Sequence, residues 1–290
     1  MTGSGPFGRE PAGEFNFATP GSGRVLFVEP TPKRIRVVAG GETVADSRGV
    51  VMVHESGHQP VYYFPPEDVR ADLLEPTDHH TTCPKKGEAS YYTIRAGDSV
   101  VENGAWYYPE PFAHAPAALT GRIAFYWKRM DHWYEEDEEV FGHPRDPYHR
   151  VDVIPASGRV RISLDGRTLA QSDRAMALFE TNLPVRWYLP REDVVAELTP
   201  SDTVTHCPYK GRAGYHSVAG IGEAGRDLVW FYAEPLAEAT RIGGLVCFFG
   251  ERADIEVDGE LRERPETPWS HGAGSSGRAA QNADPAVTRG

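Results

Sequence analysis

Short alternations of apolar and polar residues recur along the chain, and this period of two predicts β-strands. From Arg34 to Val38 charged and apolar residues alternate, Gly40-Gly41 follows, and the stretch from Val44 to Ser47 returns as the second arm of a hairpin. Glycine pairs favour such tight turns because the turns need positive φ. The same pattern predicts further strands near residues 50–54, 61–64, 90–95, 99–102, 105–108 and 121–128.

Long helices are not expected, because 30 glycines and 24 prolines interrupt the chain. One short helix is predicted from Pro65 to Leu74, since proline and acidic residues are both favoured in a first helical turn. Residues 78–87 contain histidine, threonine and cysteine and are interpreted as a long polar loop. The fold class predicted from the pattern is therefore all-β, with one short helix per domain.

The second half of the chain repeats the first. The motif Cys-Pro-x-Lys-Gly-x-Ala-x-Tyr begins at Cys83 and again at Cys207, 124 residues later. A recurrence at a fixed distance is typical of duplicated domains, and two copies of about 100 residues can each bury a core. The expected divisions are a disordered tail (1–24), a first β domain (25–130), a linker (131–154), a second β domain (155–262) and a disordered tail (263–290).

The linker assignment follows from composition. Residues 131–139 are strongly acidic and residues 141–149 are rich in proline and histidine, which favours a solvated connection that Trp133 and Tyr134 could dock. The two domains are expected to pack on each other as a pseudo-dimer, since tandem copies commonly pack about a pseudo-twofold axis.

Charge, hydropathy and cysteine content limit the partners and the cellular compartment that are expected for the protein. The net charge of −12 gives a surface that repels phosphate backbones, so no nucleic-acid partner is expected. No run of about 18 apolar residues exists, so no membrane span is expected. The first 20 residues lack an apolar signal region, and three cysteines cannot all pair, which indicates a cytoplasmic protein with free thiols.

Two sets of residues could carry chemistry, and they fall at matching positions of the two copies. A lysine three residues after a cysteine favours the thiolate, so either thiol could be a nucleophile with the lysine as its charge partner; alternatively, each cysteine is simply buried. A glutamate at the end of an apolar strand needs a partner, and the same lysine could provide it, either to move a proton or as a structural ion pair. The candidate catalytic residues are Glu55, Cys83, Lys86, Glu180, Cys207 and Lys210.

Aromatic and acidic residues near the motif could line a ligand pocket, because such pockets are largely apolar with a few polar groups. The candidate ligand-binding residues are Tyr63, Asp78, Tyr91, Trp106, Tyr188, Asp202, Tyr215 and Trp230. No metal and no cofactor are predicted. His79, His80 and Cys83, with His54 or His58 as a further ligand, suit zinc. The second copy, however, offers only His206 and Cys207 nearby, and neither copy has paired-ligand spacing.

These motifs resemble one family, domain of unknown function 427, which is sometimes labelled nucleotidyltransferase-like. The resemblance rests on Glu55 and on residues 41–47, 63–68, 78–91, 106–111 and 125–126, with their second-half partners. It implies a small β-rich domain, barrel-like or similar to the tent-like folds of zinc-bearing proteins, without their paired cysteine knuckles. A nucleotidyltransferase activity has no support, because no Gly-Ser followed by an Asp-x-Asp metal pair is present.

The expected function is a small-molecule pocket at the Cys-Pro-x-Lys-Gly loop, with a possible enzymatic action on a small polar metabolite. The alternative is a non-catalytic ligand-binding or scaffold protein, in which the same residues hold the loop. The two differ in whether glutamate, lysine and cysteine converge on one open cavity.

Overall fold

The computed structural model describes residues 25–267 and 269–270. It divides into two compact units, with the boundary between Asp146 and Pro147. Both units are built from β-strands and have the same order of strands, which confirms the all-β prediction and the duplication. The disordered tail predicted over 1–24 lies outside the described residues, and of the tail predicted over 263–290 only residues 263–267 and 269–270 are described.

Eleven strands of the described residues form the first unit. They are β1 Leu26–Pro30, β2 Ile35–Ala39, β3 Glu42–Ser47, β4 Val51–Glu55, β5 Val61–Phe64, β6 Leu74–Cys83, β7 Gly87–Ala96, β8 Ser99–Tyr107, β9 Ile123–Phe125, β10 His132–Glu135 and β11 Glu138–Glu139. Four single 3₁₀ turns join them, at Pro66–Asp68, Ala71–Leu73, Ala117–Leu119 and Trp127–Arg129.

The second unit repeats this series. Its strands are β12 Val151–Pro155, β13 Val160–Leu164, β14 Arg167–Ser172, β15 Met176–Glu180, β16 Arg186–Pro190, β17 Leu198–Cys207, β18 Gly211–Val218, β19 Val229–Tyr232, β20 Leu245–Phe248, β21 Asp254–Val257 and β22 Glu260–Leu261. Its 3₁₀ segments are Arg191–Asp193, Gly222–Gly225 and Ala237–Ile242.

Each unit contains one seven-stranded and one four-stranded antiparallel sheet. In the first unit the orders are β1-β4-β5-β9-β8-β7-β6 and β11-β10-β2-β3. In the second they are β12-β15-β16-β20-β19-β18-β17 and β22-β21-β13-β14, so the topology is the same.

Strand alternation gives the seven-stranded sheet two different buried faces. Neighbours in sequence such as Tyr62 and Tyr63 point to opposite sides, as the pleat requires. The side of Tyr62 packs with the four-stranded sheet around Ile35 and Val37. We call the other side the inner face. In the first unit the inner face carries Val51, Val53, Tyr63, Ala89, Tyr91, Trp106 and Ala124.

The predicted linker 131–154 is wrong at both ends, where it includes strands of the two units. β10 and β11 belong to the four-stranded sheet, and β12 is the first strand of the second unit. The β10–β11 hairpin is the counterpart of the β21–β22 hairpin. Acidic composition hid this match. Its buried Glu135 stands where β21 has Val257, and it is satisfied by the hydroxyl of Tyr62 at 2.9 Å and by Lys33 at 2.5 Å.

Two local predictions also change. The helix expected from Pro65 to Leu74 is reduced to two 3₁₀ turns, because Val69 between them bridges to Ala45 of β3 and cannot continue a helix. The loop expected over 78–87 is instead the end of β6, with an irregular register between Pro76 and His80 and a tight turn after Cys83.

The β1–β4 edge of the first unit contains a buried polar contact with no counterpart in the second. The Nε2 atom of His54 lies 2.8 Å from a carboxylate oxygen of Glu29, and the His54 side chain is fully buried. Phe179 and Ile154 occupy the matching positions of β15 and β12.

The β2–β3 turn gives a direct test of the fold. Gly40 and Gly41 both have positive φ, but a Cβ at Gly40 would overlap the carbonyl oxygen of Ala96, whereas a Cβ at Gly41 meets nothing within 4 Å. We expect Gly41→Ala to cost about 1–2 kcal/mol from the left-handed conformation alone. Gly40→Ala should cost clearly more. Thermal unfolding of both variants measures the difference, and equal midpoints would contradict the described contact between the turn and Ala96.

Candidate functional site

The Cys-Pro-x-Lys-Gly motif forms the turn between β6 and β7. The backbone N–H of Lys86 donates to the Cys83 carbonyl at 3.3 Å, and Cys83 pairs with Gly87 at the end of the ladder. Gly87 has φ +119°, and an added Cβ would lie 3.2 Å from the carbonyl oxygen of Glu110. The motif therefore needs glycine there both for its backbone conformation and for close contact with the 109–112 segment.

That segment is bound to the turn in both units. The N–H of Phe112 donates to the Lys86 carbonyl at 3.0 Å, and the N–H of Leu236 donates to the Lys210 carbonyl at 3.1 Å. Gly211, with φ +98°, repeats the close approach, 3.3 Å from the Glu234 carbonyl oxygen. The two most recognisable repeated motifs of the sequence are thus in contact with each other.

A buried ion pair joins this turn to the far side of the sheet. The ammonium of Lys86 lies 2.8 Å from a carboxylate oxygen of Glu55, and both side chains are less than a tenth exposed. In the sheet order, β4 and β7 are four strand positions apart, which in a flat sheet would be roughly 19 Å at the usual spacing. The sheet therefore curves strongly around its inner face. Lys210 and Glu180 form the same pair in the second unit.

Hydrogen bonds tie the aromatic rings of the inner face together. In the first unit the indole N–H of Trp106 donates to the Tyr63 hydroxyl at 3.2 Å, and the hydroxyls of Thr81 and Tyr91 are 2.7 Å apart. The second unit repeats both contacts, from Trp230 to Tyr188 at 2.9 Å and between Thr205 and Tyr215 at 2.8 Å.

The electrostatics of the first inner face keep the lysine charged and the phenols neutral. Burial alone would lower the pKa of Lys86, but Tyr63, Glu55 and Cys83 together outweigh that effect and raise it. Burial also raises the pKa of Tyr63 and of Tyr108. At neutral pH the inner face thus presents an ammonium beside neutral hydroxyls.

The sequence was compared with known protein families, and one family matches both halves of the chain. The family described as Domain of unknown function (DUF427) matches residues 27–136 and again residues 152–259. The chain belongs to the DUF427 family, in two tandem copies. A comparison with curated proteins gave no match.

The DUF427 repeats bring most of the predicted site residues together. In each repeat the glutamate, the lysine, the cysteine, two tyrosines and the tryptophan meet at or beside the inner face, and the first-repeat set is almost fully buried. Asp78 and Asp202 do not join them. Both are exposed, on the irregular parts of β6 and β17.

The histidines and cysteines that were considered as zinc ligands differ in their exposure. His79, His80 and His206 are exposed, while Cys83 and Cys247 are buried and Cys207 is half-buried. Within residues 25–267 and 269–270, no three histidine, cysteine, aspartate or glutamate side chains are grouped so that they could hold a metal ion. In the same residues no helix has the length and apolar character needed to cross a bilayer.

The second DUF427 repeat adds a residue that the sequence analysis missed. His149 lies in the segment interpreted as a linker, yet its Nε2 atom is 3.0 Å from Glu180 and its ring stacks on Tyr209 at 3.9 Å. Burial alone would raise the pKa of Glu180, but Lys210 and His149 bring it down to about 2. The one sequence feature that could have pointed to His149 is the proline- and histidine-rich composition of residues 141–149.

The predicted site residues that meet at the inner face are not exposed to solvent. A surface cavity of about 450 Å³ lies elsewhere, along Pro200, Ser201, Asp202, Thr203, Ser217, Arg226 and Asp227. An enzyme would have its glutamate, lysine and cysteine converge on one open cavity. In the first repeat these three side chains do converge, but they are buried.

A double-mutant cycle tests the buried pair of the first repeat. Glu55→Gln and Lys86→Met should each lower the free energy of unfolding by about 3–5 kcal/mol, because each leaves a buried charge without its partner. The double variant should lose less than the sum of the two. Urea unfolding measures all three. As a control, Glu75→Gln breaks the exposed pair with Arg95 and should cost at most about 1 kcal/mol; additive losses at Glu55 and Lys86 would contradict the buried pair.

The depressed pKa of Glu180 predicts acid sensitivity of the second repeat. A carboxylate whose folded pKa is lowered from 4.5 to about 2 contributes stability above pH 4.5 and loses it as the pH falls toward 2. A depression of this size corresponds to about 3 kcal/mol. The stability gap between the wild type and Glu180→Gln should therefore narrow between pH 4.5 and 2, measured by thermal unfolding. The exposed Glu192→Gln provides the control, and a constant gap for Glu180→Gln would contradict the assignment.

Proposed function

We propose that the protein binds a small polar molecule at the inner face of a DUF427 repeat, beside the Cys-Pro-x-Lys-Gly turn. The observation that carries this proposal is the Tyr108 hydroxyl. It is fully buried, and within the described residues it has no hydrogen-bond partner. Leaving a buried hydroxyl unsatisfied costs about 1–3 kcal/mol. A ligand that accepts a hydrogen bond from Tyr108 would remove this cost.

Lys86 supports the same proposal. An ammonium has three protons to donate, and among the described residues its hydrogen-bond acceptor is Glu55, with the ring of Tyr108 5.9 Å away. Two neighbouring side chains thus have donor capacity to spare. The complementary ligand offers acceptor oxygens, as a carboxylate, a carbonyl or a phosphate does.

An enzymatic role would place the Glu55–Lys86 pair in proton transfer and Cys83 as the nucleophile. That role requires binding first, so binding is the step to measure. The reducing cytoplasm is the compartment we propose, since all three cysteines are free.

A scaffold role is the second candidate, and a specific observation favours it. The Glu55–Lys86 pair is closed off from solvent, and the same lysine holds the 109–112 segment through its carbonyl oxygen. Under this proposal the residues keep the turn in place and no ligand binds.

The substitution Tyr108→Phe separates the two candidates. It removes the unsatisfied hydroxyl and keeps the ring, so stability should be unchanged or slightly higher. If the inner face binds a ligand, native mass spectrometry of the purified wild type should show a small-molecule increment over the denatured mass, and Tyr108→Phe should lose most of it. If the purified wild type is empty, a thermal-shift titration with acetate, citrate and inorganic phosphate takes the place of the mass increment.

The control is Tyr107→Phe, one residue earlier. Tyr107 points to the opposite face and stacks on Tyr92 at 5.1 Å, so it should keep the increment or the thermal shift. An increment or shift that survives Tyr108→Phe would place the ligand elsewhere. A wild type that shows neither signal would favour the scaffold.

A further inference from the structure

The second repeat contains a buried ion pair on its inner face that the first repeat does not have. The guanidinium of Arg186 makes two hydrogen bonds to the carboxylate of Glu251, both 2.7 Å long, and both side chains are less than a tenth exposed. Arg186 precedes Tyr188 by two positions on β16, so both point to the inner face. The Arg186 guanidinium lies 5.4 Å from the ring centre of Trp230, another residue of that face.

The register shows what the first repeat has instead. β16 aligns with β5 through Tyr188 and Tyr63, so Arg186 corresponds to Val61. Cys247 of β20 and Ala124 of β9 are the matching partners of those tyrosines, so Glu251 corresponds to Lys128. Valine and lysine cannot form an ion pair, and this feature therefore separates the two repeats.

The end of the described chain is attached to this pair. The hydroxyl of Thr267 donates to Glu251 at 2.6 Å, and the N–H of Trp269 donates to the Thr267 hydroxyl at 3.2 Å. The ring of Trp269 lies 5.8 Å from the Arg186 guanidinium and packs against the core of the second repeat. We call Pro265, Glu266, Thr267, Trp269 and Ser270 the C-terminal strap.

We propose that the C-terminal strap closes the inner face of the second repeat, so that the two repeats are unequal and the first one is the ligand-binding copy. This rests on the proposed function. In the second repeat, Arg186 and Trp269 supply from the chain itself the polar and aromatic contacts that a ligand would otherwise make there. In the first repeat, the unsatisfied Tyr108 hydroxyl marks the face that still offers a contact. Release of the strap exposes a second site.

The chain carries an internal reporter of strap opening. Cys247 is fully buried in β20, paired with Tyr188 across the strands, and close enough to Arg186 and Glu251 for both charges to act on it. Cys83 is a buried thiol of the first repeat. Alkylation of a buried thiol follows the population of locally open states, so the two cysteines compare the two repeats within one experiment.

The experiment uses the full chain and N-ethylmaleimide at pH 7, with labelling of each cysteine followed by peptide mass spectrometry. Trp269→Ala should accelerate labelling of Cys247 by about tenfold or more while leaving Cys83 unchanged, since only the local opening becomes easier. The double variant Arg186→Val with Glu251→Lys, which carries the first-repeat residues, should do the same. Leu261→Ala, at an exposed position of β22, is the control and should change neither rate.

Two outcomes overturn the strap. One is an unchanged Cys247 rate in both Trp269→Ala and the double variant; the other is an equal rise at Cys83, which means general loosening of the fold. Native mass spectrometry separates this from the proposed function. One increment in the wild type and two in Trp269→Ala support both proposals. Faster labelling of Cys247 without any mass increment or thermal shift would support the strap and contradict ligand binding. An unchanged Cys247 rate together with an increment that is lost in Tyr108→Phe would support ligand binding and contradict the strap.

Discussion

The buried contact between Glu55 and Lys86 sets the shape of the first repeat. A seven-stranded sheet can lie open, but here one end of β4 must reach the turn after β6, and the sheet has to curve for the two charges to meet. Once it curves, Tyr63 comes within reach of Trp106 and the turn comes within reach of the segment after β8. Two charges taken out of water repay their desolvation only when they stay together, so curvature and ion pair depend on each other. The second repeat has the same arrangement with Glu180 and Lys210.

Much of this was readable from the sequence, for definite reasons. The duplication was visible because the same backbone requirements act twice: glycine at 87 and 211 for a positive φ, and a lysine at 86 and 210 for a buried carboxylate. The Glu–Lys pairing could be predicted because a carboxylate at the end of an apolar strand needs a cation. Strand alternation likewise predicted many of the strands.

Other features depended on contacts that a linear pattern does not contain. The hairpin of β10 and β11 has Glu135 and Glu139 where β21 and β22 have Val257 and Leu261. Glu135 is tolerated only because Tyr62 and Lys33 reach it from distant parts of the chain. His149 was missed because its partner Glu180 is brought to it by the β12–β15 pairing. Asp78 was assigned to the site by its nearness in sequence to Cys83, but strand geometry carries it outward.

The polar contact between His54 and Glu29 has a consequence for how two repeats of one fold can share a chain. Homologous neighbours can exchange strands while they fold, since each edge strand finds a similar partner in the other copy. If β1 paired with β15 instead of β4, Glu29 would lose its imidazole and face Phe179; if β12 paired with β4, Ile154 would lie against His54. Each exchange would separate the Glu29 carboxylate from the His54 imidazole. The first strand of each repeat is thus matched to its own neighbouring strand, and this divergence favours strand pairing within a repeat over pairing between repeats.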